Sequence, residues 1–172
     1  MTIAPDTKDW TWVLERPCPE CGFDTRSFAR EAVGALLRDN ASTWQRVLAW
    51  RRDVAVRPTP EKWSPLEYAC HVRDVYRRFD TRLALMLTED DPAFENWDQD
   101  KTAIDERYAD QDPNRVSEEI AAAVVPLADR FDAVTDAQWE RTGRRSDGAS
   151  FTVETLARYL IHDPTHHLWD VR

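Results

Sequence analysis

The side chains in this sequence most able to do chemistry are histidines. Three of the four stand near the C-terminus, in YLIHDPTHHLWDVR. His162 and His166 are four residues apart, so on a helix both imidazoles would project from one face and could bind one metal ion. Asp163 and His167 share this spacing and form a competing register, because adjacent positions differ by roughly 100° around a helix. A histidine pair at a helix end can also simply complement the helix dipole, so spacing alone leaves both interpretations open.

The remaining histidine, His71, lies on the apolar side of a second predicted helix and is expected to face the interior. A third imidazole from there would give a three-histidine site with open coordination positions, which is typical of catalytic metal sites. Asp170 follows His166 by four residues, and could accept the ring N–H of a ligand or act as a base beside bound water. Pro164 removes one helical hydrogen bond within the cluster and predicts a bend there.

A second candidate is the pair Cys18 and Cys21 in PCPECGF. Such a CxxC pair can be half of a zinc site or a redox centre. With the other histidines assigned elsewhere, only Cys70 and His167 would remain to complete a closed zinc site, unless two chains shared the ion. The alternative is a buried loop, because free cysteine packs as a small hydrophobic residue. Three cysteines, an odd number, argue against a disulfide framework.

A long acidic segment over residues 88–111 carries the substrate-pocket candidates Trp97, Asp98 and Asp100. Connections of this length in compact domains are often functional. Packed over the mouth of the fold, the segment could supply an aromatic wall and a carboxylate to a pocket. The alternative is a solvated acidic loop held in place by one tryptophan.

Four helical segments must position these residues. The first is predicted over about 25–51, and the second begins in WSPLEY with a capping box at Ser64. The third starts after Asp112, and the fourth runs from about residue 152 to near the end. Four helices, one long crossover between the second and third, and little strand signal predict an all-α four-helix bundle.

The composition and charge of the chain exclude some classes of binding partner. The 172 residues carry a net charge of −9 with basic residues scattered along the helices, which disfavours nucleic acid. The sequence has no long apolar run for a membrane span and no signal-peptide pattern at its N-terminus, so we predict a cytoplasmic protein. The expected partner is a small-molecule substrate.

LEYACHVRDVY on the second helix, followed by HDPTHH on the last, resembles the DinB/YfiT-like superfamily of metal-dependent enzymes. The resemblance covers about residues 25–172, so we divide the chain into an N-terminal extension with the CxxC (1–23) and a bundle (24–172). It implies an up-down-down-up topology. It also implies a divalent ion, such as zinc or nickel, held by one histidine on the second helix and an HxxxH pair on the fourth. Those positions are His71, His162 and His166.

The resemblance also implies classes of activity. Members of the superfamily include thiol-dependent S-transferases and isomerases, such as mycothiol-dependent maleylpyruvate isomerase-like proteins. A divalent ion stabilises thiolate over thiol, and the same open site could instead activate water for hydrolysis. We therefore expect a metal-dependent transferase or hydrolase, and the transferase would use a low-molecular-weight thiol such as mycothiol. The alternatives are a non-catalytic protein that binds a small ligand or stress metabolite, and an interaction module. Members of the family often pair, which is compatible with a homodimer, but the sequence leaves the oligomeric state open.

Overall fold

The computed structural model describes residues 3, 5 and 9–172 of the chain. Four long helices form a bundle, and a short helix lies in the crossover between the second and third of them. In chain order the helices are α1 (Val33–Trp50), α2 (Pro65–Thr88), the short α3 (Gln99–Asp105), α4 (Pro113–Asp132) and α5 (Val153–Asp170). An antiparallel hairpin of β1 (Thr142–Arg144) and β2 (Ser150–Thr152) precedes α5. The predicted all-α, up-down-down-up four-helix bundle is confirmed.

α1 begins later than the sequence pattern predicts. The pattern suggested a helix from residue 25, whereas α1 starts at Val33, after a 3-10 turn over Arg30–Ala32. The cause is a contact with α5, where Arg158 donates from Nη1 to the carbonyl oxygens of Thr25 (2.6 Å) and Phe28 (3.1 Å). A helix beginning at Thr25 would need these oxygens for its own hydrogen bonds.

α2 begins where the capping box predicts. The backbone N–H of Glu67 donates to Ser64 Oγ at 3.2 Å, and the N–H of Ser64 donates to Glu67 Oε2 at 2.8 Å. Arg57 forms an ion pair with the same buried carboxylate. Two donors at the start of the helix are thus satisfied, and the register of α2 is fixed. In that register His71 points into the interior, where it is 1% exposed.

α4 packs against α1 and α2 through a continuous apolar stripe, and α5 packs on the same two helices. The buried residues of this stripe include Val116, Ile120, Val124, Leu127 and Phe131. α1 and α4 approach closely at Gly34. A Cβ atom there would lie 2.0 Å from Asp132 Oδ1 and 3.0 Å from the carbonyl oxygen of Ala128, so only glycine fits without a shift.

The crossover is fixed to α2 by polar contacts. The hydroxyl of the buried Tyr108 donates to Asp74 Oδ2 at 2.5 Å. Arg73 pairs with Asp74 at 2.9 Å and with Glu119 of α4 at 2.7 Å. Burial alone would raise the pKa of Asp74, but hydrogen bonds from Arg73 and Tyr108 lower it below its ordinary value. Asp74 thus holds the crossover in place as an ionised acceptor of the Tyr108 hydrogen bond.

The segment before α1 lies against α5. Val13 and Cys18 are buried, and Thr25 Oγ1 donates to the carbonyl oxygen of Val13 at 2.6 Å. The boundary that we predict between an extension (1–23) and the bundle (24–172) stays a prediction, and residues 1, 2, 4 and 6–8 of that extension lie outside the described residues. None of the described helices is both long and apolar enough to cross a membrane.

Candidate metal centres

α5 carries potential metal ligands on two neighbouring faces, and each face meets a different part of the chain. We define the cysteine–histidine group as Cys18, Cys21, His162 and His166. We define the histidine–carboxylate group as His71, Asp163 and His167. Within each group, one potential ligand atom from every residue lies within 4.8 Å of the others.

The structure does not bring the three predicted ligands into one group. His162 and His166 face the segment before α1, whereas His71 on α2 meets Asp163 and His167. His167, which the sequence places in the competing register with Asp163, has its ring centroid 5.0 Å from that of His71. The cause is the rotation of roughly 100° between adjacent helical positions, which makes the two registers of α5 point in different directions.

The cysteine–histidine group places each thiol beside one imidazole. Cys18 Sγ lies 3.6 Å from His166 Nδ1, and Cys21 Sγ lies 3.7 Å from His162 Nε2. A tight turn brings both thiols to one side, since the Gly22 N–H donates to the Cys18 carbonyl oxygen at 2.9 Å. Gly22 has φ +76°, a backbone conformation that favours glycine.

Burial sets the protonation of this group in the absence of a cation. Burial raises the pKa of Cys21 to about 11, and the neighbouring Cys18 adds to the shift. Burial also lowers the pKa of His162 to about 4, with a further contribution from His166, whose own pKa is lowered by burial. Both imidazoles are therefore neutral at pH 7 and have a lone pair available for a metal ion.

The histidine–carboxylate group is incompletely hydrogen-bonded, and of its members His71 is buried whereas Asp163 and His167 are half-buried. His71 Nε2 lies 3.3 Å from Asp163 Oδ1, and His167 Nε2 lies 3.8 Å from the same oxygen. Among the described residues, neither ring nitrogen of His71 nor Asp163 Oδ1 has a hydrogen-bond partner. Buried polar atoms without partners are costly, and a cation bound between them would satisfy them. The donor set therefore fits a divalent metal ion.

Asp163 is the acidic member of this group. Burial alone would raise its pKa, but His71 and His167 lower it well below the ordinary value. The carboxylate is consequently ionised at neutral pH and offers a negatively charged donor beside the two imidazoles.

Asp170 orients His167. Its Oδ2 lies 2.9 Å from His167 Nδ1, so that nitrogen carries the proton and the lone pair is on Nε2, on the side of Asp163. The same Oδ2 is 3.8 Å from His166 Nε2, and Lys62 Nζ is 3.5 Å from Oδ1. Of the two roles that the sequence suggested for Asp170, this geometry fits the acceptor of a ligand N–H.

Pro164 lies within α5, which runs unbroken from Val153 to Asp170. The buried proline faces α1, where the indole Nε1–H of Trp44 donates to its carbonyl oxygen at 3.2 Å. α1 therefore supports the turn of α5 that separates His162 and Asp163 from His166 and His167.

A sequence model of the DinB superfamily matches residues 51–171, well over half of the chain. The chain belongs to the DinB superfamily. A solved structure, YfiT from Bacillus subtilis, has the same fold with a TM-score of 0.74 at 18% identity, covering 84% of this chain and 88% of that one. YfiT is described as a probable metal-dependent hydrolase with an unusual four-helix bundle topology. Among the curated proteins, none matches this chain.

The part matched to the DinB superfamily contains His71 and all of the ligands on α5, but not Cys18 and Cys21. The histidine–carboxylate group therefore lies wholly within the family domain. The cysteine–histidine group combines two residues of that domain with two that precede it.

A cavity of about 340 Å³ opens beside the ligands of this DinB superfamily member. Its lining includes Asp163 and His167 and all three substrate-pocket candidates, Trp97, Asp98 and Asp100. Trp97 stacks on His71 with ring centroids 5.4 Å apart and planes 6° apart. Asp98 also caps α3, since it accepts the backbone N–H of Lys101 at 2.9 Å. The role of these residues in binding substrate stays a prediction.

Sequence reasoning did not pair the two cysteines with His162 and His166. The signal was present, because CxxC and HxxxH together make a complete set of four ligands. When His162 and His166 are grouped with His71 in one predicted site, the two cysteines have no remaining ligand pair to join. The sequence indicates Asp163 only as a member of the competing pair with His167. Nothing local in the sequence shows which of the two pairs on α5 faces α2.

Proposed function

We propose that this chain is a metal-dependent hydrolase that acts on a small molecule at the histidine–carboxylate group. The observation that carries the proposal is the convergence of His71, Asp163 and His167, where both ring nitrogens of His71 and Asp163 Oδ1 have no hydrogen-bond partner among the described residues. Membership of the DinB superfamily and the description of YfiT as a probable metal-dependent hydrolase support it.

The donor types favour hydrolysis. Two imidazoles and one carboxylate make a three-ligand set of the kind found in catalytic zinc sites, which keep a position open for water or substrate. A divalent ion held there supplies a Lewis acid and lowers the pKa of water. Thiol transfer, the other reaction that the family resemblance implies, would need a thiol to enter through the same cavity.

The surrounding residues prepare this site. Asp170 holds His167 in the tautomer whose Nε2 faces Asp163. Trp97 covers His71 and limits access of water from that side. The adjoining cavity leaves room for a small molecule next to Asp163 and His167.

The decisive variant is Asp163→Ala, with metal content and hydrolysis of a panel of activated esters as two separate measurements. We expect this variant to bind one divalent ion fewer per chain and to lose its esterase activity. The loss of metal affinity and activity should exceed the roughly 10–100-fold loss caused by removing a residue that only hydrogen-bonds a ligand. Asp170→Asn should show a loss within that range. Asp105→Ala, an exposed carboxylate on α3 paired with Lys101, is the matched control and should change neither measurement.

Each alternative gives a different result. An ion at this group without turnover of any ester would indicate a non-catalytic ligand-binding protein. Turnover only when mycothiol is added would indicate a transferase. Unchanged metal content and activity in Asp163→Ala would refute the proposal.

A further inference from the structure

We propose that the cysteine–histidine group is a closed zinc site that ties the segment before α1 to α5. It is separate from the histidine–carboxylate group and does not depend on the hydrolase proposal. Four protein ligands from a CxxC and an HxxxH match the number and type that structural zinc sites use. Two thiolates with two imidazoles in tetrahedral geometry favour zinc among the divalent metals.

The distances agree with one ion at the centre of the group. Zinc binds sulfur at about 2.3 Å and nitrogen at about 2.0–2.1 Å, so tetrahedral geometry places S and N about 3.5 Å apart. The Cys18–His166 and Cys21–His162 pairs are separated by 3.6 and 3.7 Å. Both separations are close to the one that a shared ion would impose.

The surroundings have the features of a built site. Cys18, His162 and His166 are 1%, 4% and 6% exposed. The indole of Trp10 packs against both imidazoles, with ring centroids 5.4 and 5.0 Å away. His166 Nε2 lies 3.4 Å from Glu20 Oε2, which can hold the ring proton while Nδ1 faces the metal.

A full set of four protein ligands leaves no position for substrate, so the role of this ion is structural. It fixes the face of α5 that is adjacent to Asp163 and His167. Because the two cysteines precede the part of the chain matched to the family, this clamp is an addition to the family domain.

The test is metal analysis of untagged protein purified under reducing conditions, followed by cobalt substitution. We expect the zinc of the cysteine–histidine group, one per chain, to remain in Asp163→Ala and to be lost in Cys18→Ser. Cobalt-loaded wild type should show a thiolate-to-cobalt charge-transfer band that Cys18→Ser lacks. Cys70→Ala removes the third cysteine, which lies on α2 outside both groups, and should keep zinc and band alike.

A measurement on the wild type covers the case in which Cys18→Ser fails to fold. Cys18 and Cys21 should resist alkylation until a chelator is added, and should then react together. A zinc content in Cys18→Ser equal to that of wild type, rapid alkylation before chelation, or a Cys18–Cys21 disulfide in place of zinc would each overturn the proposal.

A separate observation concerns Arg82, and its meaning for substrate rests on the proposed function. We infer that Arg82 binds the anionic group of a small molecule, such as a carboxylate, in the cavity beside the histidine–carboxylate group. Arg82 lines that cavity and is 8% exposed. Among the described residues it forms no ion pair, and its Nε has no hydrogen-bond partner. Its guanidinium instead lies over the rings of Phe79 and Phe94, 5.3 Å from each centroid.

An unpaired guanidinium in the interior needs an anion. Burial, together with the neighbouring Arg78, lowers the pKa of Arg82 to about 10, so the side chain is still charged at pH 7. A carboxylate entering the cavity would provide the bidentate partner that arginine prefers. The other arginine of the cavity, Arg145, already pairs with Asp147 at 2.6 Å.

The acidic residues of the cavity limit the charge of the ligand. Asp98, Asp100, Asp147 and Asp163 also line it. They disfavour a highly charged anion, and a single carboxylate on an otherwise neutral molecule fits this balance better.

Binding of benzoate, with neutral benzamide as its isostere, tests the inference. Wild type should prefer benzoate, and Arg82→Met should weaken benzoate binding at least about 10-fold without changing benzamide binding. Arg78→Met removes a neighbouring, half-buried arginine and should have little effect.

The Asp163→Ala chain separates this result from the hydrolase proposal. Benzoate binding that persists in Asp163→Ala and is lost in Arg82→Met supports the Arg82 site, whatever the outcome for turnover. Binding lost in Asp163→Ala but kept in Arg82→Met would place the anion on the metal group and overturn the inference.

Discussion

Removal of metal by a chelator is expected to lower the melting temperature of the wild-type chain by roughly 8–16 °C. An ion present at about 1,000 times its dissociation constant contributes about 4 kcal/mol, and each kcal/mol shifts the midpoint by about 2–4 °C in a domain of this size. The physical reason is that Cys18 and Cys21 attach the N-terminal segment to α5 through His162 and His166. Circular dichroism melts with and without chelator provide the measurement.

The comparison that isolates the cysteine–histidine group is the double variant Cys18→Ser/Cys21→Ser. It should melt well below wild type and respond much less to chelator, because only an ion at the histidine–carboxylate group remains to be removed. An equal response of both chains would show that the cysteines do not contribute to metal-dependent stability.

Trp44→Ala is expected to lower the free energy of unfolding by about 3–5 kcal/mol, the usual cost of deleting a buried large aromatic side chain. Trp44 is fully buried, and its indole N–H donates to the carbonyl oxygen of Pro164. The substitution therefore leaves a cavity beneath the turn of α5 that carries residues of both candidate metal groups. Urea denaturation at constant metal concentration measures the change.

Trp44→Phe serves as the matched variant, since it keeps much of the ring volume and removes the hydrogen bond. It should lose substantially less stability than Trp44→Ala, with about 1 kcal/mol of its loss assigned to the hydrogen bond. A loss below 1 kcal/mol in Trp44→Ala itself would mean that α1 does not support α5 at this point.

The fold could be read from the sequence where local signals are sufficient. The capping box at Ser64 involves residues only three apart, and it located the start of α2 and the inward direction of His71. The start of α1 could not be read, because Arg158, which is far away along the chain, takes the carbonyl oxygens of Thr25 and Phe28. Tertiary contacts of this kind have no local sequence signal.

The site could be read only in part, for a related reason. The spacing identified two i,i+4 pairs on α5, but adjacent residues of a helix can each face a different neighbour. Whether His162 or Asp163 meets α2 is decided by the rotation of α5 in the bundle, which depends on the whole core. The sequence therefore named the histidines and the cysteines without showing how they divide between two groups.

If both groups bind an ion as proposed, the position of Asp170 would link the two binding sites thermodynamically. One of its oxygens lies 2.9 Å from His167 Nδ1 and 3.8 Å from His166 Nε2, so a ligand from each group approaches the same acceptor. An ion bound at either group would draw electron density from its imidazole. The N–H of that ring would then form a stronger hydrogen bond to the shared oxygen of Asp170. Filling one site then changes the affinity of the other, and by reciprocity the effect has the same size in both directions.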